Sequence, residues 1–253
     1  MLKKLLGTLL IVSAFVAGCS DENTKSAAAE KGVYSVATSA DYPPFEFLQD
    51  GKIVGFDIDL AQAIADKLGI KIQVNDMSFD GILGSLKSSR TDLAVSALTA
   101  TPERKEAVDF SEEYYTTARV LVCSDLSPVR NITDLTGMAL GVQAGSIYEI
   151  YANSDLKEKA AGVTIKTLPR VPELVQELKT RRISCILVGQ KEAEILMKNN
   201  EGLRLVPLGD DDNAGFAIAM PKGSVLKEKV NQALAELNAD GTIEKLKQKW
   251  LQK

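Results

Sequence analysis

The sequence predicts an α/β fold built as two lobes with a cleft between them. Strands and helices alternate twice along the chain, over residues 33–98 and again over residues 118–188. Such alternation is typical of layers with parallel strands. The stretch TDLAVSAL, residues 91–98, is apolar enough for a strand that is buried on both faces.

The first lobe begins with a predicted strand over residues 33–40. The loop DYPPFEF follows, and its two prolines keep it out of helix. Asp57 is the predicted cap of a helix over residues 58–68, which ends at Gly69. The unit is completed by a strand, a short helix and a second strand, over residues 71–76, 79–88 and 91–98.

The second lobe repeats this order. Its predicted strands cover residues 118–124, 138–143, 163–168 and 182–188, and its predicted helices cover residues 146–153 and 171–180. The loop GDDDNAG and a strand over residues 216–221 then lead to two closing helices, over residues 225–238 and 243–251. The first closing helix carries an apolar stripe, which indicates that it packs on a core.

The N-terminal segment is predicted to be an export signal. Two lysines precede an apolar core of residues 5–16, which is too short for a typical membrane span. The ending VAGC resembles the lipobox of bacterial lipoproteins, in which the cysteine becomes the lipid-modified first residue. We expect residues 1–18 to be the signal peptide and residues 19–31 a tether, lipidated at Cys19, that holds an extracytoplasmic protein at a bacterial membrane. In the alternative, Cys19 is an incidental residue of an ordinary cleaved signal.

The composition excludes several classes of function. The 253 residues contain 30 basic and 34 acidic side chains and no histidine. Imidazole-based catalytic triads and His-ligated zinc are therefore excluded. Loss of the two signal lysines changes the net charge from −4 to −6, and we expect no nucleic-acid partner for an acidic protein. We also expect no metal and no cofactor, because no metal-ligand or nucleotide-loop spacing occurs.

Two further cysteines, Cys123 and Cys185, lie in apolar, strand-like runs. Buried thiols are the simplest interpretation of such positions. A disulfide between them is the alternative in an oxidising compartment, but it needs a Cα separation that the sequence does not determine.

The stretch SALTATPER, residues 96–104, places a cation at the start of a helix. Thr101 and Pro102 suit the cap and the first helical position, which makes Arg104 the third. A helix dipole disfavours a cation there, so a negative partner is expected nearby. Unpaired backbone N–H groups, neighbouring hydroxyls and a guanidinium fork together suit a carboxylate. Alternatively, Arg104 pairs with acidic neighbours on a solvated face.

The order of motifs resembles the family 3 extracytoplasmic solute-binding proteins, the amino-acid receptors of ABC importers. The resemblance covers residues 33–251 and rests on TSADYPPFEF, GKIVGFDIDLAQAIADKLG, MSFDGILGSL, TDLAVSALTATPERKEAVDFSEEYY, GVQAGS and NADGTIEKLKQKW. It implies the type II periplasmic binding protein fold, in which two α/β lobes are joined by a two-strand hinge. We expect residues 32–119 and 217–253 to form the first lobe and residues 120–216 the second.

The same resemblance implies roles for matching positions in the first lobe. Arg104 matches the arginine that clamps the ligand α-carboxylate, and Thr99 matches the hydroxyl beside it. Ala97 lies where the family offers a backbone carbonyl to the ligand amine. Tyr42 and Phe79 match the aromatic pair that sandwiches the ligand side chain, although both rings also suit an ordinary core.

Other matching positions differ in how well they follow the family. Gln143 and Ser146 match cleft positions of the second lobe, and Gln143 also suits an ordinary polar loop. Ser39 stands where receptors for cationic or amide side chains often have an acidic residue. Asp41, two residues later, is the candidate that supplies negative charge instead.

The clearest departure from the family is at Gly189. The segment RISCILVG ends in glycine where the family usually has the aspartate that pairs with the ligand ammonium. Loss of such a partner typically costs 2–5 kcal/mol or more. Three explanations compete: Gln190, Glu192 or the run Asp210 to Asp212 replaces the aspartate, the ligand lacks an α-amine, or the receptor is degenerate and weak.

The functional hypothesis is a monomeric, lipid-anchored receptor that captures a polar amino acid or related carboxylate and delivers it to an ABC permease. We expect no enzymatic activity. A cyclohexadienyl-dehydratase-like enzyme, which resembles the same family, is the main alternative, although no residue has a clear general-acid role. A ligand sensor on the same fold is a further alternative.

Overall fold

The computed structural model describes residues 32–209 and 213–252. The strands are β1 (Tyr34–Thr38), β2 (Asp41–Tyr42), β3 (Glu46–Gln49), β4 (Lys52–Val54), β5 (Ile72–Asp76), β6 (Leu93–Ala94), β7 (Val108–Ser124), β8 (Ala139–Gln143), β9 (Thr164–Leu168), β10 (Cys185–Gly189), β11 (Leu203–Pro207) and β12 (Asn213–Pro221). The predicted signal peptide, the tether and Cys19 lie outside the described residues.

The α-helices connect these strands. They are α1 (Phe56–Leu68), α2 (Ile82–Lys87), α3 (Pro102–Ala107), α4 (Ile147–Tyr151), α5 (Lys157–Lys159), α6 (Val171–Lys179), α7 (Gln190–Asn199), α8 (Leu226–Ala239) and α9 (Thr242–Trp250). Within the described ranges, none of them is long and apolar enough to span a membrane.

The predicted parallel layers are present in both lobes. Strand β1 pairs in parallel with β5 and β6 in the first lobe, and β8 pairs in parallel with β9 and β10 in the second. Strand β7 connects the lobes, because residues 108–118 pair with β12 while residues 119–124 pair with β10 and β11. The first and last residues of each lobe, as given by the sequence analysis, stay a prediction.

Strand β7 is much longer than the strand predicted over residues 118–124. It has 17 residues and begins at Val108. Its first part contains Glu112 and Glu113, which are exposed, so this stretch has a polar pattern that did not indicate a strand. The length matters for function because one continuous strand passes from one lobe to the other.

The predicted cap of α1 is wrong, although the predicted end is right. The N-cap is Gly55, at φ 135°, and a Cβ there would lie 2.1 Å from the Phe45 carbonyl oxygen. Gly69 ends the helix in the left-handed conformation. Asp57 is instead fully buried, and its carboxylate accepts hydrogen bonds from the Ala97 N–H and the Tyr114 hydroxyl. The side chain that was predicted to cap α1 therefore supports the backbone at Ala97 instead.

The second lobe contains a disulfide, so the simpler interpretation of two buried thiols is wrong. Cys123 on β7 and Cys185 on β10 are directly paired in register, with Cα atoms 4.1 Å apart. Both residues are fully buried. The register of two antiparallel strands, which only the tertiary fold sets, brings the sulfur atoms together.

Candidate functional site

A narrow cavity is lined by residues from both lobes. Eight of the ten predicted ligand-binding residues line it: Asp41, Tyr42, Phe79, Ala97, Thr99, Arg104, Gln143 and Ser146. Five further residues complete the wall: Glu46, Ser96, Ile147, Tyr148 and Phe216. The two remaining predicted residues, Ser39 and Gly189, stand behind the wall and hydrogen-bond to Asp41 and Tyr42. The fold thus gathers residues that are far apart in the sequence.

Arg104 is the buried cation of the cavity. Thr101 caps α3 as predicted, accepting a hydrogen bond from the Arg104 N–H at 3.3 Å. The guanidinium donates to the Thr99 carbonyl at 2.7 Å and, across the cleft, to the Gly145 carbonyl at 2.8 Å. Burial lowers the pKa of Arg104 to about 10, which leaves it charged at neutral pH. The alternative of a solvated face is wrong, because the residue is 6% exposed.

Ala97 and Thr99 lie in the connection between β6 and α3. Ala97 has a φ of 43°, a left-handed conformation that costs a residue with a side chain on the order of 1 kcal/mol. Its N–H donates to Asp57 at 2.7 Å, which holds this conformation. The Thr99 hydroxyl oxygen is buried and has no hydrogen-bond partner among the described residues. It is therefore free to bond a ligand in the cavity.

The aromatic residues of the wall make polar contacts as well as apolar ones. The Tyr42 hydroxyl lies 3.1 Å from the Tyr148 hydroxyl and accepts a hydrogen bond from the Gly189 N–H at 2.8 Å. The Arg104 guanidinium lies 5.7 Å from the centre of the Phe79 ring. The Tyr42 ring also stacks on Phe45, with centroids 6.0 Å apart. Both predicted rings thus face the cavity, and their sandwich role stays a prediction.

Asp41 is the acidic residue that joins the two lobes at the cavity. It accepts hydrogen bonds from the Ser39 hydroxyl at 3.0 Å, from the Val171 N–H at 3.1 Å and from the Gln143 amide at 3.3 Å. Burial raises the pKa of Asp41, and these donors, together with Arg170, act in the opposite direction. Asp41 is 8% exposed, so its charge acts in a region of low dielectric constant. On the side of the second lobe, Ser146 caps α4, and its hydroxyl donates a hydrogen bond to the Gln143 carbonyl.

Glu46 is a cavity residue that the sequence analysis missed. It is 1% exposed and accepts a hydrogen bond from the Ser96 hydroxyl at 2.8 Å. Burial, and next the charge of Asp57, raise the pKa of Glu46 well above its usual value. Burial also raises the pKa of Asp57, to about 6. The position of Glu46 in the loop DYPPFEF, four residues after Tyr42, was the signal available in the sequence.

Within the described ranges, no three acidic or sulfur side chains are arranged to hold a metal ion.

Gly189 is covered by two tyrosine hydroxyls. A Cβ at this position would lie 2.9 Å from both the Tyr42 and the Tyr148 hydroxyl oxygens. Tyr148 was missed by the sequence analysis, although it follows Ser146 at the start of a predicted helix. The space that a side chain at residue 189 would enter is therefore occupied by phenol groups.

The residues considered as replacements for the missing aspartate differ in position. The Gln190 side chain is exposed and donates to Glu194 at 3.2 Å, away from the cavity. Glu192 is fully buried, and neither of its carboxyl oxygens has a hydrogen-bond partner among the described residues. The run Asp210 to Asp212 lies outside the described residues.

Comparisons with known proteins agree with this architecture. The model of the bacterial extracellular solute-binding proteins, family 3, matches residues 34–253. The arginine-binding extracellular protein ArtP of Bacillus subtilis (strain 168) is 40% identical over 248 residues, which cover 96% of each chain.

Solved structures give the same result. An ancestral arginine-binding protein bound to glutamine has a TM-score of 0.82 at 38% identity, covering 88% of this chain and 99% of its own. The ancestral amino acid-binding protein AncCDT-1, a precursor of cyclohexadienyl dehydratase, has a TM-score of 0.79 at 32% identity, covering 87% and 95%. The chain therefore belongs to family 3 of the bacterial extracellular solute-binding proteins.

Proposed function

We propose that this protein is the receptor of an ABC importer for a cationic amino acid of the arginine class. The observation that carries the proposal is the charge of the cavity wall: Asp41 and Glu46 line the same cavity as Arg104. A zwitterion with an added positive side chain brings one negative and two positive charges. These charges complement one buried guanidinium and a set of buried carboxyl groups.

Each part of such a ligand has a counterpart in the wall. Arg104, with the Thr99 hydroxyl beside it, suits the α-carboxylate. The acidic pair Asp41 and Glu46 suits a cationic side chain, and the flat ring of Tyr42 adds cation–π attraction of about 0.5–2 kcal/mol. The similarity to ArtP, which is named as arginine-binding, supports the same ligand class.

The rest of the proposal follows from the family and the sequence. The receptor is monomeric, is anchored to the outside of a bacterial membrane by lipid at Cys19, and delivers its ligand to a permease. Lobe closure must be driven by ligand contacts that form only in the closed state.

A ligand screen on the soluble fragment of residues 20–253 tests the proposal. Arginine at about 100 times Kd should stabilise the fold by about 2.7 kcal/mol, which raises Tm by roughly 5–10 °C. Lysine should give a smaller shift, and glutamate none. A shift with neutral or acidic amino acids alone would refute the cationic ligand class.

Arg104→Ala separates the carboxylate socket from general effects on folding. Truncating one partner of a buried charge pair typically costs 2–5 kcal/mol, so we expect a loss of at least about 30-fold in affinity. Lys105→Ala is the control, because Lys105 is the exposed neighbour in the same helix. Affinity that survives Arg104→Ala within a factor of about three would overturn the role of this residue.

A dehydratase is a second candidate because of two buried carboxyl groups, Glu46 in the cavity wall and Glu192 in α7. Burial raises the pKa values of Glu46 and Glu192 well above their usual range, which favours the protonated form of each. General-acid catalysis needs a carboxyl group that is protonated at the working pH. The resemblance to AncCDT-1 supports the same alternative. Turnover of prephenate or arogenate by the purified protein would decide for the enzyme, and its absence alongside arginine binding would decide for the receptor.

A further inference from the structure

Two buried acids of the first lobe lie next to each other at the cavity. Glu46 lines the cavity and is 1% exposed, and Asp57 is fully buried outside its wall. Consecutive residues hold the two side chains, because the Ser96 hydroxyl donates to Glu46 at 2.8 Å and the Ala97 N–H donates to Asp57 at 2.7 Å. The two carboxyl groups are also in hydrogen-bond contact with each other.

A hydrogen bond between two carboxyl groups needs a proton, because ionised carboxylates can only accept. The Glu46 Oε2 and Asp57 Oδ1 atoms have no donor among the described residues. The other two oxygens receive hydrogen bonds from neutral groups, which are the Ser96 hydroxyl, the Ala97 N–H and the Tyr114 hydroxyl. Two carboxylates that share one buried site do not both ionise readily. This arrangement favours one proton shared by the two acids.

The charges around the two acids also favour a shared proton. Burial, and next the charge of Asp57, raise the pKa of Glu46 well above its usual value, and burial raises the pKa of Asp57 to about 6. The other titratable groups of the cavity wall are Asp41, Tyr42, Arg104 and Tyr148. Asp41 adds negative charge, and Arg104 donates to two backbone carbonyls. In the part of the chain that the structure describes, no basic side chain hydrogen-bonds to either acid.

We propose that Glu46 and Asp57 hold one proton between them in the empty receptor, and that the cationic side chain of the ligand displaces it. This inference rests on the proposed function. The proton goes to solvent, and the ligand cation balances the negative charge that remains on Glu46, since an opposite charge within about 4–6 Å stabilises a carboxylate. A neutral ligand of the same shape leaves the proton in place, because a protonated carboxyl group can donate to a ligand oxygen.

The test compares arginine with citrulline, its uncharged isostere, by calorimetry on wild type at neutral pH. Phosphate and Tris buffers differ in ionisation enthalpy, so the difference in binding enthalpy between them counts the protons released. We expect about one proton per arginine and about none per citrulline. Arginine affinity should rise by up to about tenfold per pH unit above neutral pH, and citrulline affinity should stay constant. This comparison needs no variant.

Variants assign the proton to the two acids. Glu46→Gln keeps an acceptor for the Ser96 hydroxyl but does not titrate. Its proton release should vanish, with a loss of at least about tenfold in arginine affinity and a change of less than about threefold for citrulline. Asp57→Asn removes the second carboxyl group, so proton release should fall. Glu106→Gln is the matched control, because Glu106 is an exposed acid of α3, and it should leave affinity and proton release unchanged.

Each outcome decides the inference. Arginine binding with no dependence on buffer overturns it and leaves the proposed function standing. Equal proton release with citrulline, or release that persists in Glu46→Gln, assigns the proton to another group and also overturns it. Unchanged release in Asp57→Asn shows that Glu46 titrates alone and refutes the sharing. A wild type that binds citrulline but not arginine refutes the cationic ligand class, and the displacement by a cation with it.

Discussion

At the scale of single residues, the cavity depends on acidic side chains that are buried and have raised pKa values. Asp57 is fully buried and accepts hydrogen bonds of 2.7 Å from both the Ala97 N–H and the Tyr114 hydroxyl. Those bonds hold the strained backbone at Ala97, which borders the ligand cavity. Burial nevertheless dominates and raises the pKa of Asp57 to about 6. The residue therefore couples the geometry of the site to pH.

This raised pKa predicts that stability falls as pH rises. The folded state holds the Asp57 proton more tightly than the unfolded state, so the stabilisation is present at low pH and is lost as pH rises through about 6. The shift from 3.8 to about 6 corresponds to about 3 kcal/mol. Urea unfolding between about pH 4 and pH 7 measures it.

Asp57→Asn is the control for this pH dependence. The amide keeps an acceptor for the Ala97 N–H but does not titrate, so the fall in stability should become smaller. Burial also raises the pKa values of Asp41, Glu46 and Glu192, whereas hydrogen bonds lower those of Asp76, Glu177 and Asp240, so the difference between wild type and variant is the quantity that reports on Asp57. An identical slope in the variant would show that Asp57 does not contribute.

At the scale of elements, β7 has the largest role. Its 17 residues pair with β12 in the first lobe and with β10 and β11 in the second. The disulfide joins β7 to β10 in the second lobe, between Cys123 and Cys185. The strand that connects the lobes is therefore covalently held at its end in the second lobe.

Replacing both cysteines with alanine should lower the free energy of unfolding by about 2–4 kcal/mol. The disulfide closes a loop with a sequence separation of 62 residues, which restricts the unfolded chain. Guanidinium unfolding with and without reductant measures the effect. Reductant should destabilise wild type and leave the double variant unchanged. Equal stability of oxidised and reduced wild type would contradict the prediction.

At the scale of the whole molecule, the lobes are held together by direct polar contacts around the cavity. Arg170 near the start of α6 forms an ion pair with Asp76 at the end of β5, with two N–O distances of 2.8 and 3.0 Å. Further contacts across the cleft run from Arg104 to the Gly145 carbonyl, from Gly189 to Tyr42 and from Val171 to Asp41. We expect ligand release to require these contacts to break.

The ion pair of Arg170 and Asp76 should slow ligand release. Asp76→Asn removes the charge but keeps an acceptor for the Ala40 N–H. Both side chains are about a third exposed, so the pair contributes at most about 1 kcal/mol. Its removal should therefore increase koff by roughly fivefold at most. Stopped-flow kinetics at low and high salt measures koff, and kon should change little.

Lys67→Gln is the matched control for Asp76→Asn. Lys67 pairs with Asp240 at 2.9 Å within the first lobe, at a similar level of exposure. Its loss should leave koff unchanged. If both variants accelerate release equally, the effect is a general result of losing a surface ion pair, and the ion pair between the lobes has no specific role.

Local patterns in the sequence were sufficient to predict most of the elements and most of the site residues. Three features were predicted because they depend only on neighbouring residues. They are the alternation of apolar runs, the Thr101 cap followed by Pro102, and the helix end at Gly69. The family resemblance likewise led to Arg104, Tyr42 and the other cavity residues, because their motifs are contiguous.

The contacts between groups that are distant in the sequence could not be predicted, because they depend on the tertiary structure. The pairing of Cys123 with Cys185 depends on strand register. The burial of Asp57 and Glu192 depends on what packs over them, and the cover of Gly189 by Tyr42 and Tyr148 depends on lobe closure. A pattern of residues gives the chemistry of each side chain, but its pKa and partners follow from desolvation and long-range contacts, which exist only in the folded molecule.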